Sequence, residues 1–347
     1  MNRTRAASGR SHEGAPTIID VARHAGVSKS TVSNVLQGKT SVAEPIRQKV
    51  MAAVAELDYR PHIGARSMRQ QPRVLGVVVG DLANPFHAEL AAKVENEAAK
   101  RDYSVLLATT GGVGQREAAR VSSLLGHRVA GLIFLSAPHG NGRLLLDGST
   151  PVVLASIVAP GFPWIAVDDA RGTREAVDHL VGLGHARIGF VSAMLDDELA
   201  TERPRFKGFS QGMRGAGLTV AGSHLLRPDR RAARTDWFER LRVYIGQRER
   251  PTAVVAANDL MALELLAAAE AEGLRVPHDL SIVGFDNIAL ARWERVSLTT
   301  VAQPMDAIAR GAVDLAIAAA TDDVPVPQSV RLDPQLIVRR TTAHPAS

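Results

Sequence analysis

The chain has 347 residues, 46% of them apolar, which fits two or three domains with substantial cores. It has no cysteine, which excludes disulfides and thiolate metal sites and fits a reducing cytoplasm. No apolar run approaches the roughly 20 residues of a membrane span, and the formal charge of +5 is carried unevenly. Residues 1–71 hold eleven Lys and Arg against five Asp and Glu, while the remainder holds 30 against 31. A cationic segment of this kind favours polyanions through counterion release; the rest has no electrostatic reason to touch nucleic acid.

Residues 1–15 contain arginines but no hydrophobic segment, so they read as a disordered basic arm rather than a secretory signal. From Thr17 the spacing of Ile18, Val21, Ala22 and Ala25 predicts a helix with one buried side. Thr17 is its expected cap, and Asp20 suits the positive end of the helix dipole. Gly26 supplies the left-handed break, with Val27 tucked beneath it. Ser28 and Thr31 open a second helix whose inward stripe is Val32, Val35 and Leu36, ending at Gly38. Lys29, Ser30, Ser33, Asn34 and Gln37 then face outward. All are hydrogen-bonding types and none is a carboxylate, whereas an ordinary solvated helix face mixes Glu with Lys. Two short helices joined this way read either as a plain helical hairpin or as a helix-turn-helix that sets the second helix against base edges.

A third helix is predicted over Glu44 to Leu57, with Ile46, Val50, Ala53, Val54 and Leu57 inward and Pro45 tolerated in its first turn. The headpiece therefore spans 16–61. Residues 62–72 form a short basic linker, too short and polar to be a stable isolated helix. From Arg73 the pattern changes. Apolar runs at Val74–Val79, Val105–Ala108, Leu132–Leu135, Val152–Ile157, Ile188–Val191, Ala253–Ala256 and Ile282–Phe285 read as strands. Helical stretches lie between them near 86–100, 115–126, 172–183, 205–216, 236–246, 258–272 and 305–320. Such alternation implies parallel sheets covered on both faces, and the length implies two lobes. Ligands in these folds bind beyond the carboxyl ends of strands, which singles out Asp81–His87, Ser136, Asn258-Asp259 and Asp286-Asn287.

The order of motifs resembles the lactose-repressor/galactose-repressor (LacI/GalR) family of bacterial transcription regulators, over nearly everything from Thr17 to Arg340. The most specific part is D-V-A-x-x-A-G-V-S-x-x-T-V-S, present as Asp20 to Ser33. The hinge pattern runs from Tyr59-Arg60-Pro61 to Ala65-Arg66-Ser67-Met68. Further matches are Asn84-Pro85-Phe86, Gly184-His185, Arg205-x-x-Gly208-Phe209, Ala257-Asn258-Asp259, Val283-Gly284-Phe285-Asp286 and Leu298-Thr299-Thr300-Val301.

The resemblance implies an α/β chain with an all-α helix-turn-helix headpiece, a hinge at 62–72 and a two-lobed, periplasmic-binding-protein-like core over 73–347. The N-lobe is expected at about 73–168 and 301–327, and the C-lobe at about 169–300 and 328–340. It also implies a bacterial, cytoplasmic, nucleoid-associated homodimer on a near-palindromic double-stranded operator, controlled by a small-molecule effector of carbohydrate type. Lys29, Ser30 and Asn34 take the base-reading positions. Asn34 departs from the commoner Arg, so an adenine contact or no contact replaces a guanine contact. Thr17, Ser28, Thr31 and Ser33 complete the candidate DNA contacts on the headpiece, and His62, Arg66 and Met68 those on the hinge. Met68 stands where relatives wedge a Leu into the minor groove, and its alternative is packing against the core. His62 and Gly64 replace the commoner Asn and Ala, which makes hinge ordering costlier.

The resemblance places effector contacts at Phe86, His87, Arg205, Asn258, Asp286 and Gln303, a set suited to a hydroxyl-rich ligand. Other roles stay open. Asn258 and Asp259 can cap a helix, Phe86 can be core, and His87 can stack, donate or face solvent. Trp293 can close the cleft or pack at a lobe crossover. Catalysis is not expected. Gly111-Gly112-Val113-Gly114 lacks the last glycine of a dinucleotide loop, no Gly-Lys-Ser/Thr occurs, and the eleven histidines have no metal-ligand spacing. No cofactor or metal is expected. A transport solute-binding role would use the same core, but the basic headpiece and the missing signal argue against it. Nothing after Arg340 resembles a heptad-repeat tetramerisation helix.

Overall fold

The computed structural model describes residues 16–36, 39, 41–59, 73–111, 114–137, 150–192, 202–226, 237–321 and 329–346. The basic arm and the hinge, with His62, Arg66 and Met68, lie outside the described residues. The chain divides between Gln71 and Pro72 into two compact units.

The first unit contains three helices, α1 (Ile18–Ala25), α2 (Lys29–Leu36) and α3 (Glu44–Glu56). Val21, Val32, Val35, Val50, Ala53 and Tyr59 form its small core, with Ile18, Ala25, Val27, Leu36, Val54 and Leu57 packed at the edge. Ile46 departs from the expected inward face and is 37% exposed. It lies in the first turn of α3, beyond the reach of α1 and α2, so the stripe starts one turn later at Val50. His24 of α1 and Glu56 of α3 meet at 2.7 Å on the surface.

The second unit begins with β1 (Val74–Val79), α4 (Pro85–Ala99), β2 (Ser104–Thr109), α5 (Gly114–Gly126), β3 (Gly131–Phe134), β4 (Val152–Ala155) and β5 (Trp164–Val167). It continues with α6 (Asp169–Gly182), β6 (Ile188–Val191), α7 (Glu202–Gly215), β7 (Leu225–Leu226), α8 (Trp237–Gly246), β8 (Ala253–Ala256) and α9 (Asp259–Ala271). The last elements are β9 (Ser281–Asp286), β10 (Thr299–Ala302), α10 (Met305–Ala320), β11 (Val330–Leu332) and β12 (Gln335–Ile337). Two six-stranded sheets result, ordered β11-β5-β4-β3-β1-β2 and β12-β10-β9-β8-β6-β7. All their pairings are parallel except β10 with β12. Central strands such as β3, β4, β6 and β8 are buried throughout, which is why they read as continuous apolar runs.

Three details correct the expected layout. The segment 328–340 is shared: β11 pairs with β5 of the first sheet, while β12 pairs with β10 of the second. Residues 301–302 belong to β10 and so to the C-lobe sheet, and the crossover begins at Gln303. The chain thus crosses between lobes near 168, 303 and 333. Finally, β2 is an edge strand rather than a buried one, with Leu106 and Leu107 38% and 43% exposed. Its apolar composition belongs to an edge left open on one side.

Candidate nucleic-acid interface and ligand site

In the headpiece, Thr17 and Asp20 form a reciprocal capping box. The Thr17 amide donates to Asp20 Oδ2 at 2.9 Å and the Asp20 amide donates to Thr17 Oγ1 at 3.4 Å. The Thr17 hydroxyl itself donates to Asp20 Oδ2 at 2.6 Å, and this bonding holds the Asp20 carboxyl below its ordinary pKa. Gly26 ends α1 at φ 67°, and the Val27 amide bonds back to the Ala22 carbonyl at 3.0 Å.

Ser28 caps α2: its Oγ accepts the Thr31 amide at 3.1 Å and lies 2.8 Å from both the Ser30 and Thr31 hydroxyls. Ser28, Lys29 and Ser30 are exposed, and Thr31, Ser33 and Asn34 are half-buried. The outward face therefore opens at the helix N-terminus, where the helix dipole favours an anion. Gln37 lies outside the described residues.

The candidate ligand site of the second unit is built where strands end. Close packing of α6 against α7 brings its charged groups together. A Cβ at Gly208 would lie 2.1 Å from the Ala170 carbonyl oxygen, so only glycine allows this approach. One turn earlier, Arg205 is almost fully buried, its Nε donating to Asp169 Oδ1 at 2.8 Å and its Nη1 to the Ala257 carbonyl at 2.6 Å. Its guanidinium lies 3.8 Å over the Phe285 ring. Asp286 Oδ1 is 3.6 Å from Arg205 Nη1 and accepts Gln303 Nε2 at 2.7 Å. Burial works against the Arg205 charge, yet Asp169, Asp286 and Glu202 together hold its pKa above the ordinary value.

The acids respond in the opposite way. Burial pushes the Asp286 carboxyl up to about 8, with the charges of Asp259 and Asp169 adding and Arg205 and Gln303 opposing. Burial likewise raises Asp169 against the pull of Arg205. His87, at the start of α4, places Nδ1 3.0 Å from the Asp81 carbonyl; a carbonyl only accepts, so Nδ1 carries the proton. Burial lowers its pKa, Asp81 opposes, and the Arg205 charge lowers it further. A neutral His87 then offers Nε2 as an acceptor.

Arg205, Asp286 and Gln303 therefore converge. Phe86 is buried in the apolar core, its ring 5.8 Å from that of His87. Asn258 takes its capping role: Oδ1 accepts the Met261 amide at 2.9 Å, while its Nδ2 faces Glu202 Oε1 at 3.5 Å. Asp259 differs from the helix-capping expectation. Its carboxylate accepts the Thr300 hydroxyl at 2.5 Å and the Ile288 amide at 2.9 Å, so it ties α9 to the turn after Asp286. Trp293 neither packs at a crossover nor is buried; it is 62% exposed.

Sequence reasoning missed Asp169, Glu202 and Ser156. Glu202 is buried and accepts a short hydrogen bond from Ser192. Asp169 follows β5 (Trp164–Val167), a short strand directly after Pro160, Gly161 and Pro163. An acidic pair directly after that strand was the available signal. Among the described residues no cluster of metal-ligating side chains occurs and no helix is long and apolar enough to cross a membrane.

Comparison with known proteins follows the same division. Residues 17–62 match the model described as bacterial regulatory proteins, lacI family, and residues 177–342 match the periplasmic binding protein-like domain. The ribose operon repressor of Escherichia coli K12 is 34% identical over 330 residues, covering 93% of this chain and 98% of the relative. The lac repressor dimer bound to operator and the anti-inducer ONPF superposes with a TM-score of 0.80 at 27% identity, covering 95% of this chain and all of that one. A complex of the transcriptional regulator CelR with cellobiose gives 0.68 at 26% identity, over 94% and 99% of the two chains. The chain belongs to the LacI family of DNA-binding transcriptional regulators.

Proposed function

We propose that the protein is a homodimeric, cytoplasmic repressor that reads a near-palindromic operator and is controlled by a carbohydrate or related polyhydroxy metabolite. The observation that carries this reading is the exposed start of α2, where Ser28, Lys29 and Ser30 present donors and acceptors without a carboxylate. Lys29 and Ser30 are the base readers, with Asn34 as the third. Thr31 and Ser33 border this face, and Thr17 with Ser28 holds the two helix starts that approach phosphates. His62, Arg66 and Met68 of the hinge enter the minor groove.

The effector binds among His87, Arg205, Asn258, Asp286 and Gln303, with Phe86 supporting His87 from behind. The Asp286 carboxyl and the Asn258 amide meet ligand hydroxyls, the His87 Nε2 accepts a hydroxyl proton, and the Phe285 and Arg205 stack walls the site. Exposed Leu106 and Leu107 on the β2 edge give an apolar surface that a second copy covers. The reported dimer and cellobiose complexes of relatives support both readings. The test is fluorescence anisotropy of the full chain on duplexes selected from genomic fragments, repeated with cellobiose, ribose and a wider sugar panel. Tight binding to one symmetric sequence, altered by at least one sugar, is expected. Sequence-independent binding, or indifference to every sugar, overturns the corresponding half of the proposal.

A further inference from the structure

A hydrogen-bond chain joins the carboxyl edges of the two core sheets. Ser156 follows β4 of the first sheet, and its hydroxyl donates to Gln303 Oε1 at 2.8 Å. Gln303 lies on a lobe crossover, and its Nε2 donates to Asp286 Oδ1 at the end of β9 in the second sheet. All three residues are at least nine-tenths buried. Chemistry sets the direction. Oδ1 of Asp286 faces the cationic Arg205 Nη1 and so acts as an acceptor, which sets the Gln303 nitrogen toward it; the amide oxygen then faces a partner that has to donate, which the Ser156 hydroxyl does. Both ends also have backbones that L-residues seldom adopt, Ser156 at φ 67° and Asp286 at φ 127°. Such geometry persists only where surrounding contacts impose it, and it concentrates at functional sites.

We propose that Ser156 is a positioning residue of the ligand site: from the N-lobe it orients Gln303, through Gln303 it orients Asp286, and the chain pins the two lobes in one relative arrangement. The inference rests on the reading that a ligand engages Asp286. Gln303 and Arg205 both address Oδ1, and Oδ2 accepts no hydrogen bond among the described residues, so Oδ2 is the oxygen offered to a ligand hydroxyl. A second lobe-to-lobe bond, from the Ala289 amide to Glu89 Oε1 at 2.8 Å, is exposed to solvent and competes with water.

The chain contains no cysteine, so spin labels can be placed without background. Glu95→Cys on α4 and Glu270→Cys on α9 are exposed sites, one on each lobe. Pulsed electron resonance on the full chain, diluted with unlabelled protein, reads the separation within one molecule. The parent should give one narrow distance distribution. Ser156→Gly removes the hydroxyl while suiting the positive φ, so its melting temperature should hold while the distribution broadens, as it should in Gln303→Leu. Ser156→Asn, which tolerates left-handed backbone and brings back a donor, should narrow it again. Distributions in Ser156→Gly and Gln303→Leu identical to the parent, or a parent as broad as the variants, overturn the proposal. Broadened variants together with a parent that no sugar in the panel shifts support the positioning role and count only against the ligand reading.

Discussion

Arg205 holds one buried carboxylate through Nε and faces a second through Nη1, so deleting it leaves Asp169 and Asp286 unpaired in the core. Stranding a buried ion pair in this way costs about 3–5 kcal/mol, and Arg205→Ala should lower the urea midpoint of the core unit accordingly. The Asp286 carboxyl adds a pH signature. Its folded value of about 8 lies above the unfolded carboxylate range, so the folded protein binds more protons between pH 4 and 8. Stability from this group is therefore present at low pH and lost as pH rises toward 8, by up to about 1.4 kcal/mol per unit. Urea melts from pH 5 to 8 should show a decline that Asp286→Asn flattens; equal slopes in the two proteins would count against a buried, disfavoured charge. Arg205, Asp286 and Gln303 were legible in the sequence because they follow apolar runs or fall in family motifs. Ser156 carried no signal, since a single serine after a short strand has no pattern of its own, and Asp169 carried only that of the acidic pair Asp168-Asp169; both acquire their roles from partners 147 and 36 residues away.

Helix ends carry the next scale of consequences. The capping box at Thr17 fixes where α1 begins, and a lost cap costs about 1 kcal/mol, so Thr17→Ala should lower the headpiece melting transition by that amount in far-ultraviolet dichroism. Operator affinity should fall with it, because α2 is held by α1. Gly208 predicts a larger effect: Gly208→Val would drive a side chain into the Ala170 carbonyl, part α7 from α6 and withdraw Arg205 from Asp169. A soluble variant that lacks every sugar-dependent change is the expected outcome. Most elements were legible because their signals are local: caps at Thr17 and Ser28, Gly26 at a left-handed turn, and apolar strands of four or more residues. Of the strands that escaped, β7, β11 and β12 have two or three residues, too few for periodicity to show; β5 and β10 have four, but β10 opens on two threonines and β5 follows directly on Pro160, Gly161 and Pro163. Assigning β11 to its lobe needs the crossover itself, since three residues pair with β5 and the next strand joins the other sheet.

Over the whole molecule, charge and burial divide the labour. The positive excess lies in residues 1–71, while the core unit is nearly neutral and pairs buried Arg205 with the carboxyls of Asp169 and Asp286. Operator binding should therefore weaken steeply with salt, each phosphate contact contributing about −0.9 to the slope of log affinity against log salt. Substituting Lys29 by Ala should weaken binding to the selected site more than to random duplex, which identifies it as a base reader. A uniform loss would mark it as a phosphate contact. Asn34→Arg should move the preferred base at one operator position toward guanine. The most direct test of the account is competition binding of the full chain to its selected duplex against random DNA at about 0.15 M salt. A preference of about a thousandfold or more, reduced at least tenfold by Lys29→Ala together with Ser30→Ala, is predicted. Equal affinity for selected and random duplexes, with and without sugars, would contradict it.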